Sequence, residues 1–324
     1  MFDLQLDRVV KWIIDNGYDS IALQLPEGLK SKAFEICDFI RNEVDVEISI
    51  IGDPCYGACD LRKDNAQALV HFGHSSIPSL DEIGDVLYIE SKVDVDISKI
   101  SSILNNIPEK VGMLASVQYV HLIPKIISIL EKGGKKAFVS EGDRRTVYPG
   151  QILGCNCTAA ENIADKVDAF LYIGEGDFHP LAAAFGVGKP IMIYDPINNE
   201  LRNVDDVRDR ILRKRFALIQ SSNEAKTFLI TVCSKPGQRR NDDALLAMAK
   251  IEAAGKKAYK VVMDEISPDR LMHYDVDVYV NTACPRIAMD DSIRYKKPMI
   301  TLPELDIVLG LGSWEDYKFD VIRP

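Results

Sequence analysis

The sequence predicts an α/β protein built from three homologous parallel-sheet domains, arranged with pseudo-threefold symmetry around a common centre. Two observations carry that expectation. Short apolar runs rich in β-branched residues alternate with stretches of helical periodicity, the pattern of parallel strands covered on both faces. The alternation also recurs three times along the 324 residues, in blocks of roughly a hundred residues. The blocks are read as domains 1–107, 108–220 and 221–324.

Each block offers four strand-like runs in the same order. In the first they are Ser20–Pro26, Glu47–Asp53, Ala68–His74 and Val86–Ser91. The second has Lys110–Ser116, Lys135–Glu141, Ala169–Asp177 and Pro190–Pro196. The third has Thr227–Ser234, Lys257–Glu265, Val276–Pro285 and Pro298–Glu304. A helix is expected in each intervening connection. "VQYVHLIPKIISILEKGG" and "DDALLAMAKIEAAGKK" show helical spacing and end at glycine followed by lysine. Pro124 sits inside the first of these, so that helix starts near it or kinks there. The opening stretch, with Asp3 and Asp7 on an amphipathic pattern, reads as a helix and not as a secretory signal.

A net charge of −10 argues against a broad nucleic-acid footprint, and no apolar run approaches the ~20 residues of a membrane span. Seven cysteines cannot all pair, and with no export signal a reducing cytoplasmic setting is expected. Thiols there are buried, metal-bound or catalytic more often than cross-linked.

Three of them stand just past strand ends. Cys59 follows the second run of block one, Cys155 follows the second run of block two, and Cys284 closes the third run of block three. Ligands of open parallel sheets bind at the carboxyl ends of strands. One thiol from each block at a shared centre is a three-thiolate site, which suits a [4Fe-4S] cluster with one open iron or a catalytic zinc. Cys37 lies at helical spacing and reads as core, while Cys233 suits either packing or the centre. Spacing alone does not separate Cys55 from Cys59, or Cys157 from Cys155. The C-x3-C-x2-C signature of radical S-adenosylmethionine enzymes fails at its third place, which is Arg62. Zinc-ribbon, P-loop and G-x-G-x-x-G patterns are missing too.

Taken together, "GDPCYGACD", "YPGQILGCN", "YIGEGDFHP", "SKPGQRR" and "ACPRIAMDD" resemble the archaeal diphthamide-biosynthesis radical enzymes, the 2-(3-amino-3-carboxypropyl)histidine synthases. The resemblance runs from "LPEGL" at Leu25 to "LPEL" ending at Leu305. It implies a [4Fe-4S] cluster on Cys59, Cys155 and Cys284, with no ligand role for Cys157. It further implies a transferase that cleaves the co-substrate S-adenosylmethionine at its sulfur–Cγ bond. The 3-amino-3-carboxypropyl radical would then add to C2 of a histidine of translation elongation factor 2, releasing methylthioadenosine. An electron donor and a homodimer are implied partners. The competing resemblance is to quinolinate synthase, which uses a similar cluster as a Lewis acid.

Such an enzyme needs carbonyl or acidic groups facing the sulfonium, and amides or a cation for the methionine carboxylate. Strand-end candidates are Gln118, Glu141, Glu175, Asp177, His179, Ser234, Lys235, Gln238 and Arg286. His71, His74, His121 and His273 show no ligand spacing and receive no role. "RDRILRKRF" (Arg208–Phe216) reads as a solvated helix between blocks two and three.

Overall fold

A computed structural model describes residues 2–80, 84–290 and 294–324; Asp291, which closes the "ACPRIAMDD" motif, lies outside them. The described strands form three sheets. The first contains β1 (Ser20–Gln24), β2 (Glu47–Ile50), β3 (Ala68–Phe72) and β4 (Asp85–Ile89). The second contains β5 (Lys110–Ala115), β6 (Lys136–Phe138), β7 (Ala169–Ile173), β8 (Ile191–Asp195) and β9 (Glu200–Asn203). The third contains β10 (Thr227–Cys233), β11 (Lys257–Met263), β12 (Val278–Asn281) and β13 (Met299–Thr301).

All twelve expected runs form strands, and each sheet has the same parallel order: second, first, third, fourth. Among the described strands only β9 pairs antiparallel, at the edge beside β8. Its sequence, "ELRN", is polar and half-exposed, so no apolar run announced it. β3 and β7 are buried at every position, which explains the unbroken hydrophobicity of β7 and leaves His71 as the one polar residue of β3.

The helices follow from their apolar spacing. α1 (Leu6–Asn16) buries Val9, Val10 and Ile13 and ends at Gly17, whose φ of 66° and N–H bonds to the Ile13 and Ile14 carbonyls close the C-terminus. α2 (Ala33–Glu43) places Cys37 in the first core, 4% exposed. α3 (Ile123–Lys132) begins beside Pro124, so the proline starts the helix without kinking it. α4 (Thr158–Glu161) and α5 (Phe178–Val187) pack on the second sheet. The linking helix α6 (Asp205–Ser222) leads to α7 (Asn241–Ala253), α8 (Pro268–Leu271), α9 (Pro285–Asp290) and α10 (Leu302–Val308).

Two expectations need correction. In the first repeat no helix occupies the β2–β3 or β3–β4 connection among the described residues. The Gly-, Pro- and Asp-rich segment from Gly52 onward instead forms the irregular loop that carries Cys55 and Cys59. Nor is "RDRILRKRF" wholly solvated. Arg215 is 1% exposed, its Nε donates to Glu304 Oε1 at 2.7 Å, and its guanidinium also reaches the carbonyls of Ala288 and Met299, each at 2.8 Å. This pair pins the linking helix to the third sheet. Among the described residues no helix is long and apolar enough to cross a membrane.

Arg215→Ala leaves Glu304 charged and buried, so the third repeat is expected to lose about 3–5 kcal/mol of stability. Trp314, edge-on to Phe216, reports this in denaturant titrations of a Trp12→Phe background.

Candidate metal centre

The carboxyl ends of strands from all three sheets open on one cavity of about 800 Å³, and Cys59, Cys155 and Cys284 all line it. Cys59 sits in the loop after β2, Cys155 in the loop after β6, and Cys284 in the turn between β12 and α9. All three thiols are free and half-buried. Burial pushes the Cys59 thiol up to about 11; nearby Cys155 adds to the rise, while Gln238 and Arg145 oppose it. Burial also raises Cys155, again against Arg145. Cys284 is raised by burial first and then by Cys155 and Cys59. Thiols raised by burial, two of them also by a neighbouring thiol, are readily held as thiolates when a cation replaces their protons.

The surrounding chain is built for such a group. Gln238 Nε2 donates to Cys59 Sγ at 3.4 Å, and Arg145 Nη2 donates to Cys155 Sγ at 3.8 Å. Arg145 is 3% exposed and also donates to the Gly237 carbonyl at 3.3 Å, while its Nε has no hydrogen-bond partner among the described residues. A buried guanidinium beside clustered thiols offsets the negative charge they acquire on binding a metal. Glycine is required twice nearby. A Cβ at Gly237 would lie 2.4 Å from Cys59 Cβ, and one at Gly154 would lie 1.6 Å from the Phe178 ring. Lys235, 7% exposed, binds Asp60 Oδ2 at 2.7 Å and so ties the third sheet to the Cys59 loop. The chain's last residues reach back to the second repeat: Ile322 N–H donates to the Cys155 carbonyl at 2.9 Å, and Arg240 anchors Asp320 at 2.6 Å.

Of the further candidates, Gln118, His179, Lys235, Gln238 and Arg286 line the cavity. Gln118 Nε2 is held by the Gly73 carbonyl at 2.6 Å, and Arg286 lies 4.3 Å above the Phe178 ring. Lys235 is engaged by Asp60, which makes it a brace between loops. Glu141, Glu175, Asp177 and Ser234 are not on the wall. Glu141 and Glu175 face solvent, Asp177 pairs with Arg202, and the Ser234 hydroxyl donates to Asp264 at 3.2 Å. Being near a strand end in sequence does not decide on which side of the turn a side chain emerges. Cys55 and Cys157, 3% and 1% exposed, are likewise off the wall. His74, given no role from its spacing, is on the wall, and so is Arg145.

Cys233, which ends β10, lines the cavity too, so the third sheet contributes two thiols and the others one each. A three-sheet α/β protein with strand-end thiols from every sheet on a single cavity is the class that fold and site define. Comparison with known proteins is consistent with this. The family described as "Putative diphthamide synthesis protein" matches residues 25–318. The 2-(3-amino-3-carboxypropyl)histidine synthase of Pyrococcus horikoshii is 30% identical, over 99% of this chain and 94% of that protein. The protein of that name from Methanocaldococcus jannaschii is 28% identical, over 100% and 94%. The crystal structure of Dph2 from Pyrococcus horikoshii with a 4Fe-4S cluster superposes with a TM-score of 0.91 at 29% identity, covering 99% of this chain and 95% of that one. This chain belongs to the diphthamide synthesis family.

Burial, together with the Arg286 charge and His74, lowers His179 from 6.5 to about 4. The unfolded chain therefore takes up a proton that the folded one refuses, and this contribution to stability is present above 6.5 and lost as pH falls toward 4. His179→Gln is expected to flatten that acid-side fall in the thermal midpoint. An unchanged slope would mean His179 does not contribute to it.

Proposed function

We propose that this chain is a 3-amino-3-carboxypropyl transferase acting in the first step of diphthamide synthesis. The observation that carries the reading is the meeting of Cys59, Cys155 and Cys284, one from each sheet, on a single cavity in a chain of this family. We assign these three residues as ligands of a [4Fe-4S] cluster, in repeats 1–107, 108–220 and 221–324. Three soft sulfurs without a carboxylate among them suit iron–sulfur ligation, and a fourth position remains open. Such a cluster, when bound, supplies a low-potential electron from a cellular donor to the sulfonium of S-adenosylmethionine.

The chain's own residues then have defined tasks. Arg145 offsets the thiolate charge, and Gln238 holds the Cys59 sulfur in place. His179 stays neutral at physiological pH and so does not repel a sulfonium. Arg286 and Arg294 on the wall supply cations suited to the methionine carboxylate, while Asp264 and Asp269 add acidic character to the same cavity. Orientation selects which of three carbon–sulfur bonds breaks. With one electron delivered to the sulfonium, the sulfur–Cγ bond would break and methylthioadenosine would leave; the 3-amino-3-carboxypropyl radical would add to C2 of a histidine of elongation factor 2, and loss of the C2 proton with return of one electron would restore the ring. A cytoplasmic homodimer completes the proposal.

Anaerobic reconstitution, followed by S-adenosylmethionine and dithionite, is expected to release methylthioadenosine. A fully iron-loaded protein that releases none would overturn the radical reading and favour Lewis-acid chemistry of the quinolinate-synthase kind. Cys59→Ala, Cys155→Ala and Cys284→Ala should each lose most of the bound iron and at least about tenfold in product, the scale of a lost ligand-sphere contact. Cys37→Ala and Cys157→Ala should retain both.

A further inference from the structure

Behind the cavity wall lies a second group of potential ligands. Cys55, His71 and His74 each bring one ligand atom within 4.8 Å of the others. They come from two places that only folding unites: the loop after β2, and the end of β3 with the turn beyond it. Cys55 is 3% exposed and His71 fully buried, so neither exchanges ligands freely with solvent.

The tautomer of His71 can be deduced from its neighbours. Gln24, also fully buried, donates from Nε2 to the Asp60 carbonyl at 2.6 Å and accepts the Arg62 N–H on Oε1 at 3.3 Å, which settles which end of its amide is oxygen. That oxygen lies 3.0 Å from His71 Nδ1, so Nδ1 carries the hydrogen and Nε2 presents a lone pair. His71 Nε2 in turn lies 3.0 Å from His74 Nδ1, with the Cys55 sulfur beside them. An imidazole whose remote N–H is held by a buried carbonyl is the arrangement in which histidine ligates metals.

We propose that Cys55, His71 and His74 form a mononuclear zinc site, separate from the three-cysteine centre. One thiolate and two imidazoles, with no carboxylate, match the ligand preferences of Zn²⁺. Bond lengths of about 2.0–2.1 Å to nitrogen and 2.3 Å to sulfur require ligand atoms roughly 3.3–3.6 Å apart, which small side-chain movements achieve here. Of the three ligands His74 is the one on the cavity wall. The metal would fasten the irregular Cys55–Cys59 loop to β3 and so hold Cys59 ready for its own ligation. The proposal does not depend on the reaction assigned above.

The test begins with the full-length Cys59→Ser/Cys155→Ser/Cys284→Ser variant, which removes the three thiols assigned to the cluster and the colour of any cluster, and keeps Cys233, which also lines the cavity. Anaerobic Co²⁺ titration should give a thiolate charge-transfer band and intense tetrahedral ligand-field bands, saturating at about one metal per chain. Adding Cys55→Ala or His74→Gln should abolish them, with circular dichroism confirming that the chain remains folded. In the reconstituted wild-type protein, metal analysis should find about one zinc in addition to the iron, lost in Cys55→Ala. Absence of the cobalt bands, or bands and zinc that persist without Cys55, would leave only a hydrogen-bonded histidine pair and overturn the site. Zinc that disappears with the three cavity cysteines but not with Cys55 would overturn it as well.

Discussion

Thiols that are buried together resist ionisation together, and the centre of this protein is organised around that constraint. Cys59, Cys155 and Cys284 are each raised by burial, and Cys59 and Cys284 also by other thiols of the set. Only a positive charge placed among them relieves the conflict. The chain supplies part of that charge in Arg145, and the fold leaves a cavity for the remainder. Parallel sheets make the arrangement possible, because all carboxyl ends of one sheet lie on one side. Three such sheets facing inward bring Cys59, Cys155 and Cys284, with Cys233 beside them, to one cavity.

The sheets would drift apart without cross-connections, and these are concentrated at the same place. Lys235 with Asp60 joins the third sheet to the first, and Gln118 with the Gly73 carbonyl joins the second to the first. Arg145 with the Gly237 carbonyl and the returning C-terminal residues join the second to the third. Most of these partners are buried, so breaking one leaves a polar or charged group with no water to replace it. The contacts that unite the repeats are therefore also those that position the thiols.

The legible part of the fold was the part written in local chemistry. Apolar-rich runs such as "ALVHF" and "AFLYI" are buried on both faces, and such runs declare themselves wherever they occur. The helix at Pro124 began where a proline is tolerated. The edge strand "ELRN" was not legible, because a half-exposed strand needs no apolar signature. Arg215 misled for the opposite reason. It lies among other charges in sequence, yet a carboxylate 89 positions away and two backbone carbonyls make its burial tolerable. Glu141, Glu175, Asp177 and Ser234 shared the strand-end addresses of Gln118 and Gln238 but emerge away from the cavity.

By itself, the sequence determined the repeated strand order, the placement of a cysteine after a strand in each repeat, and the family whose motifs surround them. These depend on residue type and short-range spacing, which a linear reading preserves. Tertiary structure alone decided which thiols share a cavity, that Cys55 and Cys157 turn away from it, and that His71 and His74 stand beside Cys55. Those outcomes depend on how separate sheets pack and where each turn aims its side chains, and no local propensity encodes that information.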